Sequence, residues 1–136
     1  MALDVDTLRS SFALVAEREP QVTKRFYGIF CERYPQVKPM FSRNAPEKQQ
    51  EMLQQALVAV VEHLEDASWL DRELKAMGRK HVDYGVTSEM YDWVGECLLA
   101  TLEDIAGEAW NDKLLGAWSD AYGAISGLMK AGAAEV

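Results

Sequence analysis

Apolar residues recur along most of the chain every three or four residues, which is the period of an α-helix. This pattern predicts helices over residues of about 4–19, 20–34, 46–64, 68–82, 88–107 and 109–130, with a short one between 35 and 46. No segment shows the sustained alternation of apolar and polar residues that a half-buried strand would need. The hydrophobic pattern therefore predicts an all-α fold.

Prolines separate the first of these helices. Pro20 and Pro46 suit the first turn of a helix, where the missing N–H is not needed. Pro35 disfavours the α conformation of the residue before it, and we expect the second helix to end there. The segment that follows is rich in turn residues but contains Phe41, which we expect to pack against a neighbouring helix.

The later helices are separated by glycines and short loops. Gly85 and Gly107 are predicted helix terminators, and Gly78 is expected to loosen the helix over 68–82. Unequal helices and an early proline-broken turn fit an irregular globular helical fold better than a four-helix bundle. No linker is long enough to separate two domains, so we expect one domain over 1–136, with frayed tails at 1–4 and 131–136.

The composition suits a folded protein with its own core. The chain has 136 residues, 49% of them hydrophobic, and a formal net charge of −8. This charge argues against binding to nucleic acid or to an anionic membrane. The chain has no apolar run of membrane-spanning length and no basic, apolar leader at its N-terminus, so we expect a cytoplasmic protein. Cys31 and Cys97 lie in helical apolar patterns and are expected to be reduced packing residues.

Two apolar helix stripes, over 70–77 and 53–60, have a polar side chain at one end. His81 follows Leu74 and Met77 on one helix face, and Gln49 stands four residues before Leu53 on the preceding helix. An imidazole in this position either has a hydrogen-bond partner in a core or holds a group that is not protein. The ordinary alternatives, a core histidine and a solvated glutamine, remain open at this level.

Six stretches of the chain together resemble the single-domain bacterial globins, which are related to the haem domain of flavohaemoglobins. They are FYGIFCERYPQVKPMF (26–41), QQEML (49–53), LKAMGRKH (74–81), VTSEMY (86–91), VGECLLATLEDI (94–105) and AWSDAYGAI (117–125). The spacings from Tyr27 to Phe41 and from Leu53 to His81 also match the family. The resemblance implies a globin fold around a haem b.

The resemblance also implies roles for individual residues. His81 matches the proximal histidine that ligates the haem iron, and Phe41 matches the aromatic residue packed against the haem. Tyr27 and Gln49 match the polar pair on the ligand side, and Tyr91 matches a tyrosine that supports the proximal histidine. The expected haem contacts are Phe41, Leu53, Leu57, Met77, Lys80, His81, Val86, Tyr91 and Val94, with Arg79 beside Lys80 as a second candidate for the haem propionates.

The chemistry of these residue types agrees with the implied roles. A diatomic ligand held by ferrous haem gains partial negative charge, and the phenol of Tyr27 and the amide of Gln49 can donate hydrogen bonds to it. Each such bond in a dry pocket is worth roughly 1–3 kcal/mol, which favours dioxygen over the less polar carbon monoxide. His63 stands about 20 Å from Gln49 along the same helix, too far to be a distal ligand.

The chain departs from the flavohaemoglobins at one proximal position. In that family an acid near the end of the last helix acts with the proximal histidine and the tyrosine. Ala133 takes this place here, and Glu135 follows two residues later. This departure puts strong oxygen activation in doubt.

Four functions are compatible with the sequence. The first is reversible binding of dioxygen, nitric oxide or carbon monoxide at a pentacoordinate, histidine-ligated iron. The second is a nitric oxide dioxygenase, which would need a separate reductase because 136 residues leave no room for a flavin or nicotinamide domain. A gas sensor and a haem-free helical module are weaker alternatives, and the oligomeric state is left open.

Overall fold

The helices of the protein follow the predicted order. The structure, a computed structural model, describes residues 3–41 and 45–135. It contains α1 (Val5–Arg18), α2 (Val22–Arg33), α3 (Pro46–Glu62), α4 (Ala67–Asp83), α5 (Ser88–Ala106) and α6 (Asp112–Ala134), with 3₁₀ turns at Pro35–Phe41 and Gly107–Ala109. The described ranges contain no strand, so the prediction of an all-α fold is confirmed. None of the helices in these ranges is both long and apolar enough to cross a membrane.

Local side-chain chemistry accounts for several helix starts. Asp4, Asp66 and Asn111 each accept the backbone N–H of the residue three positions ahead, at 3.0–3.3 Å, and so cap α1, α4 and α6. Pro46 is the first residue of α3, as its sequence context predicts. Pro20 lies in the turn before α2 and outside the first helical turn that the pattern predicts for it.

The C-terminal segment is helical where the sequence predicts a frayed end. α6 continues to Ala134. Gly132 is buried against the backbone of Lys75 in α4, and Glu135 forms an ion pair with Arg79 at 2.8 Å. These contacts with α4 order a segment whose own composition is small and polar. Of the predicted tails, residues 1, 2 and 136 lie outside the described residues, and residue 4 caps α1.

The core lies where α1, α2, α4, α5 and α6 meet. Leu8, Phe26, Leu74 and Leu102 come from four different helices, and each is at most 3% exposed. Burying a side chain of this size contributes about 1.5–3 kcal/mol, so these apolar stripes account for the helix packing. Both cysteines are free, and Cys97 is fully buried in this core.

α3 packs differently from the other long helices. Its extensive contacts are with α2, where Thr23 donates to the carbonyl of Gln50 at 2.9 Å. Val60 is its one buried residue within the described ranges, although Leu53 and Leu57 continue the same apolar stripe. In that part of the chain α3 and α4 share no extensive interface. The helices that carry Gln49 and His81 therefore do not pack tightly on each other.

Candidate functional site

Tyr27, Phe41 and Gln49 meet at the start of α3. The side-chain Nε2 of Gln49 donates to the hydroxyl of Tyr27 at 3.1 Å. The ring centroid of Tyr27 lies 5.1 Å from that of Phe41, in an edge contact. Phe41 also packs against Phe30, with centroids 6.1 Å apart, as expected for an aromatic residue in that turn-rich segment. The structure thus brings three of the predicted site residues together from α2, the following turn and α3.

Tyr27 is arranged to donate a hydrogen bond. Burial raises the pKa of Tyr27, and the hydrogen bond from Gln49 acts in the opposite direction but more weakly. The phenol is therefore protonated at neutral pH. Because the amide donates to the hydroxyl oxygen, that bond does not use the hydroxyl proton of Tyr27, which can be donated to another acceptor.

His81 lies near the end of α4 with one ring nitrogen already engaged. Its Nδ1 is 2.6 Å from the carbonyl oxygen of Met77, one turn earlier in the helix. A carbonyl can only accept, so Nδ1 carries the ring proton and Nε2 keeps its lone pair. Burial lowers the pKa of His81, and the Met77 bond offsets this only in part. Both the geometry and the burial favour the neutral imidazole that metal ligation requires.

The end of α4 holds the next segment close to His81. Gly85 has a φ of 85°, and its N–H donates to the carbonyl of Val82 at 3.0 Å. The N–H of Val86 donates to the carbonyl of His81, also at 3.0 Å. These two bonds form a Schellman motif, which needs a residue in the left-handed conformation and so favours glycine. The motif confirms Gly85 as a helix terminator and places Val86 beside the backbone of His81.

Tyr91 packs on His81 through its ring. The two ring centroids are 6.4 Å apart, with 29° between the ring planes. Within the described residues, the buried hydroxyl oxygen of Tyr91 has no hydrogen-bond partner, and burial raises the pKa of this phenol. The ammonium of Lys130 lies 5.8 Å from the Tyr91 ring centroid, and Tyr122 donates its hydroxyl to the Tyr91 carbonyl at 2.5 Å.

The proximal acid of the flavohaemoglobins is not replaced by the nearby carboxylate. Glu135 is bound to Arg79 at 2.8 Å. Across the described ranges, neither the ring of His81 nor the hydroxyl of Tyr91 is hydrogen-bonded to a carboxylate. The same ion pair engages Arg79, which leaves Lys80, exposed next to His81, as the candidate partner for a propionate.

The remaining predicted haem contacts are apolar and half-buried. They are Leu53, Leu57, Met77, Val86 and Val94, all at the edge of the core. Half-buried apolar side chains on α3, α4 and α5 suit contact with an apolar disc such as haem. Two residues of the predicted α4 stripe lie elsewhere, because Leu74 is buried in the core and Leu70 lines a cavity of about 620 Å³ with Ala124 of α6.

The site residues form two separate groups. Tyr27 and Phe41 make no hydrogen bond or ring contact with His81 or Tyr91 in the part of the chain that the structure describes. One group offers a protonated donor and the other a neutral imidazole with an open Nε2. These residue types fit a haem, whose iron takes an imidazole as axial ligand and whose gas-binding side is tuned by hydrogen-bond donors.

His63 lies at the opposite end of α3 from Gln49. Its Nδ1 is 2.7 Å from the carbonyl oxygen of Ala59, and its ring stacks on Trp69 with centroids 3.9 Å apart. His63 belongs to the turn between α3 and α4, in agreement with the prediction that it cannot reach the ligand side.

Two residues near His81 and Tyr91, namely Tyr84 and Tyr122, were not singled out by the sequence pattern, and the role predicted for Gly78 was wrong. The Tyr84 ring lies 5.7 Å from that of His81. The sequence indicates this contact through the spacing of three residues, because side chains three apart on a helix are neighbours. Tyr122 reaches Tyr91 only through tertiary packing. Gly78, expected to loosen its helix, instead allows α4 to touch α6.

Removing the Tyr91 hydroxyl should not destabilise the protein. We expect Tyr91→Phe to raise the free energy of unfolding by about 1 kcal/mol, because it deletes a buried polar group that has no partner among the described residues. Tyr122→Phe is the matched control and should lower the free energy of unfolding by about 1 kcal/mol or more, because it breaks a hydrogen bond. Urea unfolding followed by circular dichroism measures both, and equal losses in the two variants would contradict the unpaired state of Tyr91.

The chain is similar in sequence to one group of haem proteins. The globin family model matches residues 24–129. The flavohemoprotein of Bordetella pertussis is 32% identical over 124 residues, and that of Bacillus cereus is 31% identical over 127 residues. These matches cover 90% and 92% of this chain but 31% of each relative. The chain thus spans about a third of the length of these curated relatives.

Solved structures show the same fold. A bacterial globin from Campylobacter jejuni is 25% identical and superimposes with a TM-score of 0.81 over 96% of this chain and 94% of that one. An engineered carbene transferase from Rhodothermus marinus, described as a proposed nitric oxide dioxygenase, is 26% identical, with a TM-score of 0.83 over 96% of this chain and 91% of that one. Together with the helical architecture and the geometry around His81, these similarities show that the chain belongs to the globin family and is similar to the haem domain of flavohaemoglobins.

Proposed function

We propose that this globin binds dioxygen and other diatomic gases reversibly, at a haem b whose pentacoordinate iron is held by His81. The observation that carries the proposal is the hydrogen bond from Gln49 to Tyr27 at 3.1 Å, which leaves a half-buried, protonated phenol able to donate. Ferrous haem supplies the reversible coordination of the gas when it is bound. The chain supplies the axial ligand, the apolar pocket and the hydrogen-bond donors.

His81 acts as the axial ligand through Nε2 in this proposal. The Met77 carbonyl keeps the ring proton on Nδ1 and sets the orientation of the ring. A neutral carbonyl is a weaker acceptor than a carboxylate, so it draws less on this proton and makes the imidazole less electron-donating. This arrangement supports reversible gas binding over oxygen activation.

Tyr27 and Gln49 stabilise the gas from the opposite side. A hydrogen bond donated in a dry pocket contributes roughly 1–3 kcal/mol to a ligand that carries partial negative charge. Dioxygen gains more from this donor pair than carbon monoxide does, because carbon monoxide is less polar. Phe41, whose ring touches Tyr27, is proposed to pack against the haem and to hold the phenol in place.

The other proposed contacts with the haem are apolar, with one exception. They are Leu53, Leu57, Met77, Val86 and Val94, together with Lys80 as the partner of a propionate. Tyr91 is proposed to support the His81 ring by stacking, since its hydroxyl makes no bond to it.

Oxidation of nitric oxide to nitrate is the second candidate function. Nitric oxide, dioxygen and one electron give nitrate, and the electron would come from a separate reductase. Similarity to two flavohemoproteins and to an enzyme described as a proposed nitric oxide dioxygenase supports this candidate. The absence of a carboxylate hydrogen-bonded to His81 within the described residues favours the first candidate.

Replacing His81 should abolish haem retention. We expect the wild-type protein to purify with a Soret band, and His81→Ala to lose it because no other side chain replaces the axial ligand. His63→Ala is the matched control and should keep normal haem content. Absorption spectra and haem-to-protein ratios measure this, and normal haem content in His81→Ala would contradict the proposed ligand.

Removing the Tyr27 hydroxyl should speed oxygen release. The loss of a hydrogen bond worth roughly 1–3 kcal/mol predicts an increase of about tenfold or more in the oxygen dissociation rate. Carbon monoxide release should change much less. Stopped-flow measurements on Tyr27→Phe test this, with Tyr34→Phe as control, since the Tyr34 hydroxyl bonds to Glu96 outside the site. An unchanged oxygen rate in Tyr27→Phe would place the donor elsewhere.

Restoring the proximal acid should separate the two candidate functions. We expect Ala133→Glu to lower the midpoint potential of the haem iron and to raise oxygen-dependent consumption of nitric oxide when a reductase is supplied. Ala134→Glu adds the same charge at an exposed position and is the control. Rapid nitric oxide consumption by the wild-type protein, with no gain in Ala133→Glu, would favour the dioxygenase.

A further inference from the structure

α4 and α6 cross with their backbones in contact at two glycines. A Cβ atom on Gly78 would lie 2.9 Å from the Cα of Met129 and closer still to its carbonyl. A Cβ on Gly132 would lie 2.6 Å from the Cα of Lys75 and closer still to the Lys75 carbonyl. The obstructing atoms belong to backbone, which cannot turn aside as a flexible side chain can. This crossing therefore requires glycine at both positions.

The peptide group at the first of these contacts also orients His81. The carbonyl of Met77 belongs to the peptide bond between Met77 and Gly78. That carbonyl accepts the Nδ1 proton of His81 at 2.6 Å. The ring orientation and the position of the ring proton are thus tied to a peptide group held directly against α6.

An ion pair between Arg79 of α4 and Glu135 at the end of α6, at 2.8 Å, also joins the two helices. Both side chains are about half exposed, so the pair by itself contributes little to stability. Its position is the informative feature, because Arg79 directly follows Gly78 and Glu135 follows the second glycine of the crossing. The last turn of α6 therefore contacts α4 at Lys75 and at Arg79, which lie on either side of Met77 in the sequence.

We propose that Gly78 is a positioning residue for the haem ligand: its contact with Met129 sets the Met77 carbonyl and, through it, the orientation of His81. This inference rests on the proposed role of His81 as the haem ligand. Gly132 holds the same two helices together, but its contact is with Lys75, whose carbonyl does not bond to His81. The two glycines therefore differ in what they do for the imidazole, although both stabilise the crossing.

Three alanine variants in the haem-loaded protein test this difference. Gly78→Ala and Gly132→Ala add the same methyl group at the two contacts, and Gly127→Ala adds it on α6 facing open space. We expect the first two to lower the melting temperature and the third to leave it unchanged or raise it, because alanine favours a helix. The iron–histidine stretching band in resonance Raman spectra of the ferrous protein should shift in Gly78→Ala only.

The rate of haem release gives a second readout of the same effect. Changing the partner of a ligating histidine costs about 10–100-fold in affinity for the metal, so we expect haem transfer from Gly78→Ala to an acceptor apoprotein to be at least about tenfold faster. Gly132→Ala should release haem at nearly the wild-type rate. Equal band shifts in the two contact variants, or no shift in either, would mean that the crossing only stabilises the fold.

A milder variant tests the proposal if Gly78→Ala does not fold. Arg79→Gln loosens the same crossing without a steric collision, and we expect it to broaden the iron–histidine band. Arg72→Gln is the control, because Arg72 pairs with its exposed neighbour Glu73 on the same helix. An unchanged band in Arg79→Gln would overturn the inference. A wild-type protein that retains no haem would instead contradict the proposed function itself.

Discussion

The His81 side of the site depends on the direct backbone contact between α4 and α6. This contact needs Gly78 and Gly132, because any larger residue would place a Cβ inside the neighbouring backbone. It orders the end of α6 and lets Glu135 reach Arg79. It also determines where the end of α4 lies, and His81 lies at that end. A close helix crossing thus links the packing of the core to the position of a single imidazole.

Burial gives the two groups of site residues opposite but compatible properties. It raises the pKa of Tyr27 and lowers the pKa of His81, so that both side chains are neutral near pH 7. A neutral phenol can donate to a partly negative gas molecule, and a neutral imidazole can ligate a metal. Burial therefore favours the neutral form of both side chains, which is the form that a hydrogen-bond donor and a metal ligand each require.

Much of this arrangement follows from local rules that a sequence displays directly. The period of the apolar residues predicts the helices, and Pro46 predicts the start of α3. The position of Phe41 in a proline-bounded turn indicates that it packs inward. The left-handed conformation at Gly85 is the expected end of a helix. The helices and their ends depend on contacts within a few residues, and the inward packing of Phe41 depends on its own apolar side chain, so each can be read without knowing the fold.

Other features required the folded chain, because they join residues far apart in sequence. Composition alone indicates that the segment after residue 130 frays, yet the contact of Gly132 with α4 makes it helical. The resemblance to flavohaemoglobins leaves open whether Glu135 could replace the missing acid. The pairing of Glu135 with Arg79 decides against it. The amino-acid pattern therefore determines which helices form and which residue types meet at the site. Where His81 points and which groups it contacts are decided only by tertiary packing, because the close contact between the backbones of α4 and α6 leaves no room for a side chain between them.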